Sequence, residues 1–306
     1  MEKIAFMFLV KSTLLNQEAM WKRFLKNKED KYSIHVHIAA ESNPNLADGL
    51  LRTGRIDKMH PTSWGHTTLA HRELLRSAIK DNQNQRFLLL SESCVPLKTF
   101  DKTYSWLFSK PESIIKLQEV DQSAKDERWT PYKDDIPFEY FKKHAANYCL
   151  NRKDAEQIAT MDDKTTKIFN EMENGDEHFL SYLWMTQKSV EVINNWSVFS
   201  DWKYTETLCA EAEAKANKKH KAYTELKKRK GITNDPESWN RLSKKQKKEL
   251  KDAKAEIGKL MAFARDNAKH PRLYSKIDKN ILADLDEHYF ARKFTTDSDI
   301  IKWTPL

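Results

Sequence analysis

The sequence predicts an α/β fold: a mostly parallel sheet flanked by helices, with a Lys-rich helical hairpin inserted late in the chain. Three observations predict it. The apolar runs "IAFMFLV", "YSIHVHIA" and "RFLLLSE" fall in the first hundred residues and read as strands buried on both faces. Helical periodicity separates them, the pattern of strand–helix–strand units. From about Glu206 to Asn267 the composition then shifts to Ala, Lys and Glu, nearly all helix formers.

Each element follows in order. "IAFMFLV" is the first strand; it is too short for a membrane span and no small-residue cleavage site follows it. "NQEAMWKRFLKNK" places Met20, Trp21, Phe24 and Leu25 on one helical face. "WGHTTLAHRELLRSAIKD" does the same for Leu69, Leu74, Leu75 and Ile79. "SIIKLQEV" reads as a further strand, and "PYKDDIPFEYFKKH" from Pro131 as a loop. "RKDAEQIATM" and "TTKIFNEM" read as helices, "GDEHFLSYLWMTQ" as a loop entering a helix, and "VEVINNWSVFSDWKY" as a strand and bend. The Ala/Lys/Glu segment breaks once at "GITNDPESW", where Asp235-Pro236-Glu237 starts a second helix with proline. A helix from about Lys279 to Tyr289 leads into a basic "ARKF". The expected organisation is a core over 1–205, a helical insertion over 206–268 and a C-terminal segment over 269–306.

Composition narrows the function. Nine Trp and 39% hydrophobic residues suit a packed core with aromatic-lined pockets. No GxGxxG or P-loop occurs among only six Gly, which argues against nucleotide binding by those devices. The net charge of +8 favours anionic partners: nucleotide diphosphates, nucleic acid or acidic glycans. Cys94, Cys149 and Cys209 are too few and too scattered for a disulfide framework or a zinc site, so a soluble protein in a reducing, cytosolic compartment is expected.

In an open α/β sheet, ligands bind at the carboxyl ends of the strands. "RFLLLSESCVPL" sets Ser91, Glu92 and Ser93 at such an end. Glu92 either joins a site there or caps the following turn, and a lone carboxylate is short of the paired acids a metal prefers. His35 and His37 share one face of a strand, but no third ligand accompanies them. Asp176 and Glu177 before an apolar helix read either as N-terminal capping or as a catalytic carboxylate.

The pieces "IAFMFL", "MWKRF", "YSIHVH", "SWGHTTLAHRELLRSAIKDNQNQRFLLLSESCVPL", "YCLNRKDA", "GDEHFL" and "HPRLY…FARKF" resemble, in order, the core-2/I-branching family of glycosyltransferases, especially its plant-type branch. Only the Lys-rich insert falls outside the resemblance. It implies a GT-A fold, a UDP-sugar donor, a glycan acceptor, inversion at the sugar carbon, and no metal or other cofactor. Without a metal, cationic side chains must neutralise the departing UDP. "FARKF" carries over Lys293, and "HPRLY" carries over Arg272, with Arg292 as the fallback. Glu177 takes the base position, and Asp176, on the acceptor-binding side, orients the loop or caps the helix that follows. "SDWKY" maps Trp202 and Tyr204 as acceptor-stacking residues, with Tyr148 as a further acceptor contact. Val36, His37, Trp64 and Gly65 map to the nucleoside and donor-sugar region, with Ser91, Glu92 and Ser93 beside them. The family's donors include N-acetylglucosamine and, in a related branch, xylose.

This chain departs from the family pattern in places. "KHAANYCLNR" replaces the plant-type Lys-Gly-Ser-Gln-Trp, the animal members' disulfide cysteines have no counterparts, and no membrane anchor is expected. Two rival readings stay open: a nucleic-acid-binding protein using the Lys-rich hairpin, and a metal-dependent transferase with Glu92 as ligand.

Overall fold

The computed structural model describes residues 1–11, 14–39, 49–233, 236–268 and 270–304; Asp235, expected to open a helix, lies outside them. Two compact units emerge, one formed by Met1–Phe199 with Tyr274–Leu306 and the other by Ser200–Leu273.

The first unit begins with Lys3–Val10 (β1), Glu18–Leu25 (α1), Tyr32–Ile38 (β2), Leu50–Thr53 (α2), Thr68–Ala78 (α3), Asn84–Leu90 (β3), Val95–Pro96 (β4), Phe100–Leu107 (α4) and Ser113–Gln118 (β5). It continues through Lys143–Asn151 (β6), Arg152–Ala159 (α5), Asp163–Glu171 (α6), Ser181–Thr186 (α7) and Val192–Ile193 (β7) to the two-residue strand Phe199–Ser200 (β8). After the second unit come Lys279–Leu285 (α11) and Phe290–Arg292 (β9). The second unit holds Trp202–Arg229 (α8), Pro236–Asn240 (α9) and Lys244–Asn267 (α10).

The main sheet has the order β2-β1-β3-β6-β5-β7. β1 runs parallel to β2 and β3, and β5 parallel to β7, whereas β6 is antiparallel to both its neighbours. The central sheet is therefore mostly parallel and flanked by helices, in the manner of a GT-A glycosyltransferase. The sequence pattern predicts no strand at β6. Its residues His144, Ala145, Ala146 and Asn147 lack β-branched or aromatic character, and pairing on both sides overrides that weak propensity. Trp202 and Tyr204, read as part of a strand and bend, instead open α8, where Asp201 caps the helix by accepting from Tyr204 N–H.

This topology gathers one edge. The carboxyl ends of β1, β2, β3 and β5 meet the amino end of β6 there, as the pairs Val10↔Ile38, Phe8↔Leu90 and Gln118↔Lys143 show. An aromatic cluster holds the edge in place. Phe6, Phe8, Trp21, Phe24 and Phe290 meet mostly edge-on, with centroids 5.2–6.4 Å apart. Such pairs are worth about 0.5–1.5 kcal/mol each beyond area burial. Trp21 also donates its indole N–H to Cys94 O at 2.9 Å, which ties α1 to the turn after β3. Phe290 anchors β9, and so sets the chain that runs on into Arg292 and Lys293.

In the second unit α8 and α10 pack antiparallel. Cys209 lies against Ala264, Lys219 pairs with Glu256, and Lys230 with Glu249. Ser243 and Gln246 form a full capping box at the start of α10. Among the described residues no helix is long and apolar enough to cross a membrane.

Candidate active site at the carboxyl edge of the sheet

The Asp176–Glu177 loop is built by two close approaches. A Cβ on Gly175 would meet Phe169 O at 1.7 Å, so only glycine lets the turn fold back on α6. Gly65, at φ +79°, packs against Asn174, and its carbonyl accepts from Asp176 N–H at 3.4 Å. Asp176 does not cap the following helix, since α7 begins only at Ser181 with no side-chain cap. Its Oδ2 instead accepts from the Thr67 hydroxyl at 3.2 Å. That hydroxyl lies 3.1 Å from His71 Nε2, and His71 Nδ1 lies 3.4 Å from Tyr148 Oη. Burial pushes His71 down to about 3, so its ring is neutral. Running the donors in one direction satisfies every link: Tyr148 to His71, His71 to Thr67, Thr67 to Asp176.

Glu177 sits beside this relay and is half-buried. Burial raises its pKa, and the neighbouring Asp176 charge raises it further; Arg128 and Lys143 oppose the shift. Asp176 is also raised, chiefly by burial. Arg128 Nη1 is 3.3 Å from Glu177 Oε2 and 3.3 Å from His178 Nε2. His178 donates Nδ1–H to Lys142 O at 2.9 Å, which leaves Nε2 as the acceptor for Arg128. Burial holds this histidine down to about 3, and its ring stacks on Phe141 at 4.4 Å. A neutral, fixed histidine thus aims Arg128 at the carboxylate. Arg128 comes from a π-helical segment, Ala124–Trp129, with no periodicity to betray it in the sequence.

A basic rim lies along the same edge. Ser91–Cys94 form a turn closed by Cys94 N–H on Ser91 O at 3.1 Å, and the Ser91 and Ser93 hydroxyls are 3.0 Å apart. Glu92 Oε1 accepts from Lys11 N–H at 3.4 Å. Phe294 N–H donates to Ser93 O at 3.0 Å, which clamps the Arg292–Lys293 chain onto the turn. Arg292 Nη1 donates to Asn147 Oδ1 at 3.0 Å, and Asn147 in turn donates to Leu89 O. Arg292 Nε is buried with no hydrogen-bond partner among the described residues. Lys293 is lowered to about 8, first by burial and then by Arg292, while Glu92 pulls the other way. Asn147 and Lys143 lie four residues apart on β6, about 13 Å along the strand, so one strand links the rim to the carboxylates.

The other expected residues fall in different places. Val36 and His37 are fully buried at the carboxyl end of β2. Val36 N–H donates to Gly54 O, and His37 Nε2 accepts from His60 N–H at 2.9 Å while its Nδ1 has no partner among the described residues. Trp64 is 66% exposed beside Gly65. Tyr148 is fully buried, so its side chain meets His71 in the core and is not open to an acceptor. Trp202, Tyr204 and Arg272 belong to the second unit, where the Arg272 guanidinium lies 4.0 Å over the Tyr204 ring and 3.6 Å from Asp201. Among the described residues no three His, Cys, Asp or Glu side chains are grouped to hold a metal ion. A cavity of about 360 Å³ between Leu117, Val120, Phe138 and Lys143 adjoins Phe141, on which His178 stacks. A larger one of about 690 Å³, lined by Asn151 and Asp154, opens at the opposite edge, away from these groups.

Half-buried carboxylates and a cationic rim thus share one carboxyl edge of a GT-A-like sheet. Over residues 4–234 the chain matches the family described as Core-2/I-Branching enzyme. It belongs to that family of glycosyltransferases. It is also similar to a protein named Glycosyltransferase BC10 from Oryza sativa subsp. japonica, with 30% identity over 163 residues. That match covers 51% of this chain and 40% of the rice protein, so the chain spans less than half of that relative's length.

Proposed function

We propose that this chain transfers a sugar from a UDP-sugar to a glycan hydroxyl with inversion, without a metal, and with Glu177 as the base. The observation that carries the reading is the Asp176–Glu177 pair, raised by burial and facing Arg128 at the edge where α/β sheets bind ligands. The acceptor hydroxyl attacks the anomeric carbon from the face opposite the nucleotide. As the new C–O bond forms, its proton passes to Glu177. The anomeric carbon–phosphate oxygen bond breaks and its electron pair leaves on UDP. A raised carboxylate pKa makes the proton transfer more favourable.

The developing charge on UDP needs cations. Lys293 and Arg292 are the pair in the first unit that supports this role, and the buried, unpartnered Arg292 Nε is a donor an anion would suit. Arg272 is supported by the family resemblance. Ser91, Ser93 and Trp64 line the nucleoside and donor-sugar side in this reading, and the family resemblance supports Trp202 and Tyr204 as acceptor contacts. The resemblance supports N-acetylglucosamine or xylose as donor sugar. Independence from metal is supported by the cationic rim standing where a dication would otherwise neutralise phosphate.

The test is a panel of UDP-sugars with and without EDTA, using the full chain and Glu177→Gln. One donor is expected to stabilise the protein thermally and to be slowly hydrolysed, unchanged by EDTA. Glu177→Gln should lower turnover by about 10²–10⁴-fold and leave UDP binding intact. Wild-type turnover in Glu177→Gln sinks the base assignment, and loss of activity in EDTA transfers the role of Glu92 to metal binding.

A further inference from the structure

The charge of this protein is segregated. Residues 200–273 hold 20 Lys and Arg against 11 Asp and Glu, a net +9, while the rest of the chain holds 33 against 34, a net −1. Within the second unit the excess is concentrated at the hairpin tip. Residues 227–248 carry nine Lys and Arg against two acids. Antiparallel packing brings the last turn of α8, with Lys227, Lys228 and Arg229, toward the first turns of α10, as Lys230 pairing with Glu249 shows.

The fold explains only half of this. Cations at the carboxyl end of α8 complement the helix dipole. Cations at the amino end of α10 oppose it, yet Lys244, Lys245, Lys247 and Lys248 stand there with no acid in the first turn. Even the capping box uses neutral Gln246 where Glu would serve the dipole. Lys244, Lys245 and Lys248 are exposed and make no ion pair among the described residues. A helix start that breaks the local rule without a local gain points to a ligand outside the chain.

We infer that this tip docks on an anionic lipid bilayer. Sixteen of the unit's 20 cations are Lys, compact point charges suited to a diffuse negative surface rather than to bidentate base or phosphate recognition. The aromatics nearest the tip, Tyr223 and Trp239, are half-buried, so they offer no open ring on which a base could stack. The association is electrostatic and acts alongside the sugar-transfer site, not through it.

The experiment is flotation of the full chain with phosphatidylcholine vesicles, with and without 30% phosphatidylserine, against a labelled duplex DNA and a single-stranded RNA at equal salt. Binding is expected only to the anionic vesicles, and it should disappear at high salt. Combined Lys244→Gln, Lys245→Gln, Lys247→Gln and Lys248→Gln should weaken it by about a hundredfold or more. The same variant should melt no lower than the parent, because it removes cations from a helix amino end. Absence of vesicle binding, vesicle binding unchanged in the variant, or tighter binding to either nucleic acid overturns the inference.

Discussion

Glu177 lies at the carboxyl edge of the main sheet and Lys293 directly after β9, and burial moves them in opposite senses. It drives the carboxyl toward its protonated form and the ammonium toward its neutral form. Their neighbours differ more than their burial does. Glu177 has a cation at 3.3 Å, itself held by a neutral histidine, so the charge there is largely answered inside the protein. Lys293 has Arg292 beside it, which pushes it further down, while Glu92 and Cys94 pull it back. The carboxylate region is electrostatically closed and tuned for a proton. The basic region carries surplus positive charge that an anion from outside would relieve. A base and a leaving-group site need these two opposite settings.

The comparison breaks most visibly at Lys293. Lys293→Met keeps the buried stem and removes the charge. We expect kcat/KM to fall by about 10²–10³-fold, with UDP affinity falling alongside and the circular dichroism melt unchanged. The pH dependence follows from the lowered pKa of about 8. Only the protonated amine attracts diphosphate, so UDP affinity should be level at lower pH and decline as pH rises through about 8. The decline should vanish in Lys293→Met. Calorimetric titration of UDP at several pH values reads both, and a variant that binds UDP as well as the parent removes the basic rim from the mechanism.

Arg128 sharpens the other side. It opposes the rise in the Glu177 pKa, so Arg128→Gln should raise that pKa further. A base works only when deprotonated, and activity is lost as pH falls through its pKa. The acidic limb of the kcat/KM profile should therefore move to higher pH. A displacement of about one unit would lower the rate on that limb about tenfold. A limb that stays put, or moves to lower pH, means that Arg128 does not govern Glu177.

Much of the scaffold was legible in the sequence because burial leaves a periodic trace. Met20, Trp21, Phe24 and Leu25 read as one face of α1, and all four are buried. The strands β1 and β3 announced themselves as apolar runs for the same reason, whereas β2, at the sheet's edge, is half-buried over its first four residues. β6 did not, because its partners rather than its own residues make it a strand. Family motifs pointed to Asp176, Glu177 and Lys293, but not to what sets their charge. Arg128 lies in a short π-helical segment 49 residues from Glu177, and His178 is ordinary until Lys142 O fixes its tautomer. Thr67 and His71 carried a weak signal, a polar pair one helical turn apart at the start of α3. Tyr148 misled, since a tyrosine beside a motif looks like an acceptor contact until its burial is known.

Tyr148 therefore gives the smallest and most discriminating test. Tyr148→Phe keeps the ring against Phe179 and His71 and removes one hydroxyl. His71 Nδ1 would then be a buried acceptor without its donor, at a cost of about 1 kcal/mol. The thermal midpoint should fall by roughly 2 °C. Thr67 still donates to Asp176, so the carboxylate pair keeps its nearest hydrogen bond. Turnover should accordingly stay within about twofold, since the lost link lies two steps from Asp176 and a single neutral hydrogen bond is worth little more than this. The acceptor KM should not change. A rise in acceptor KM with stability untouched would put the Tyr148 hydroxyl on the substrate, and the relay from Tyr148 through His71 to Asp176 would lose its first member.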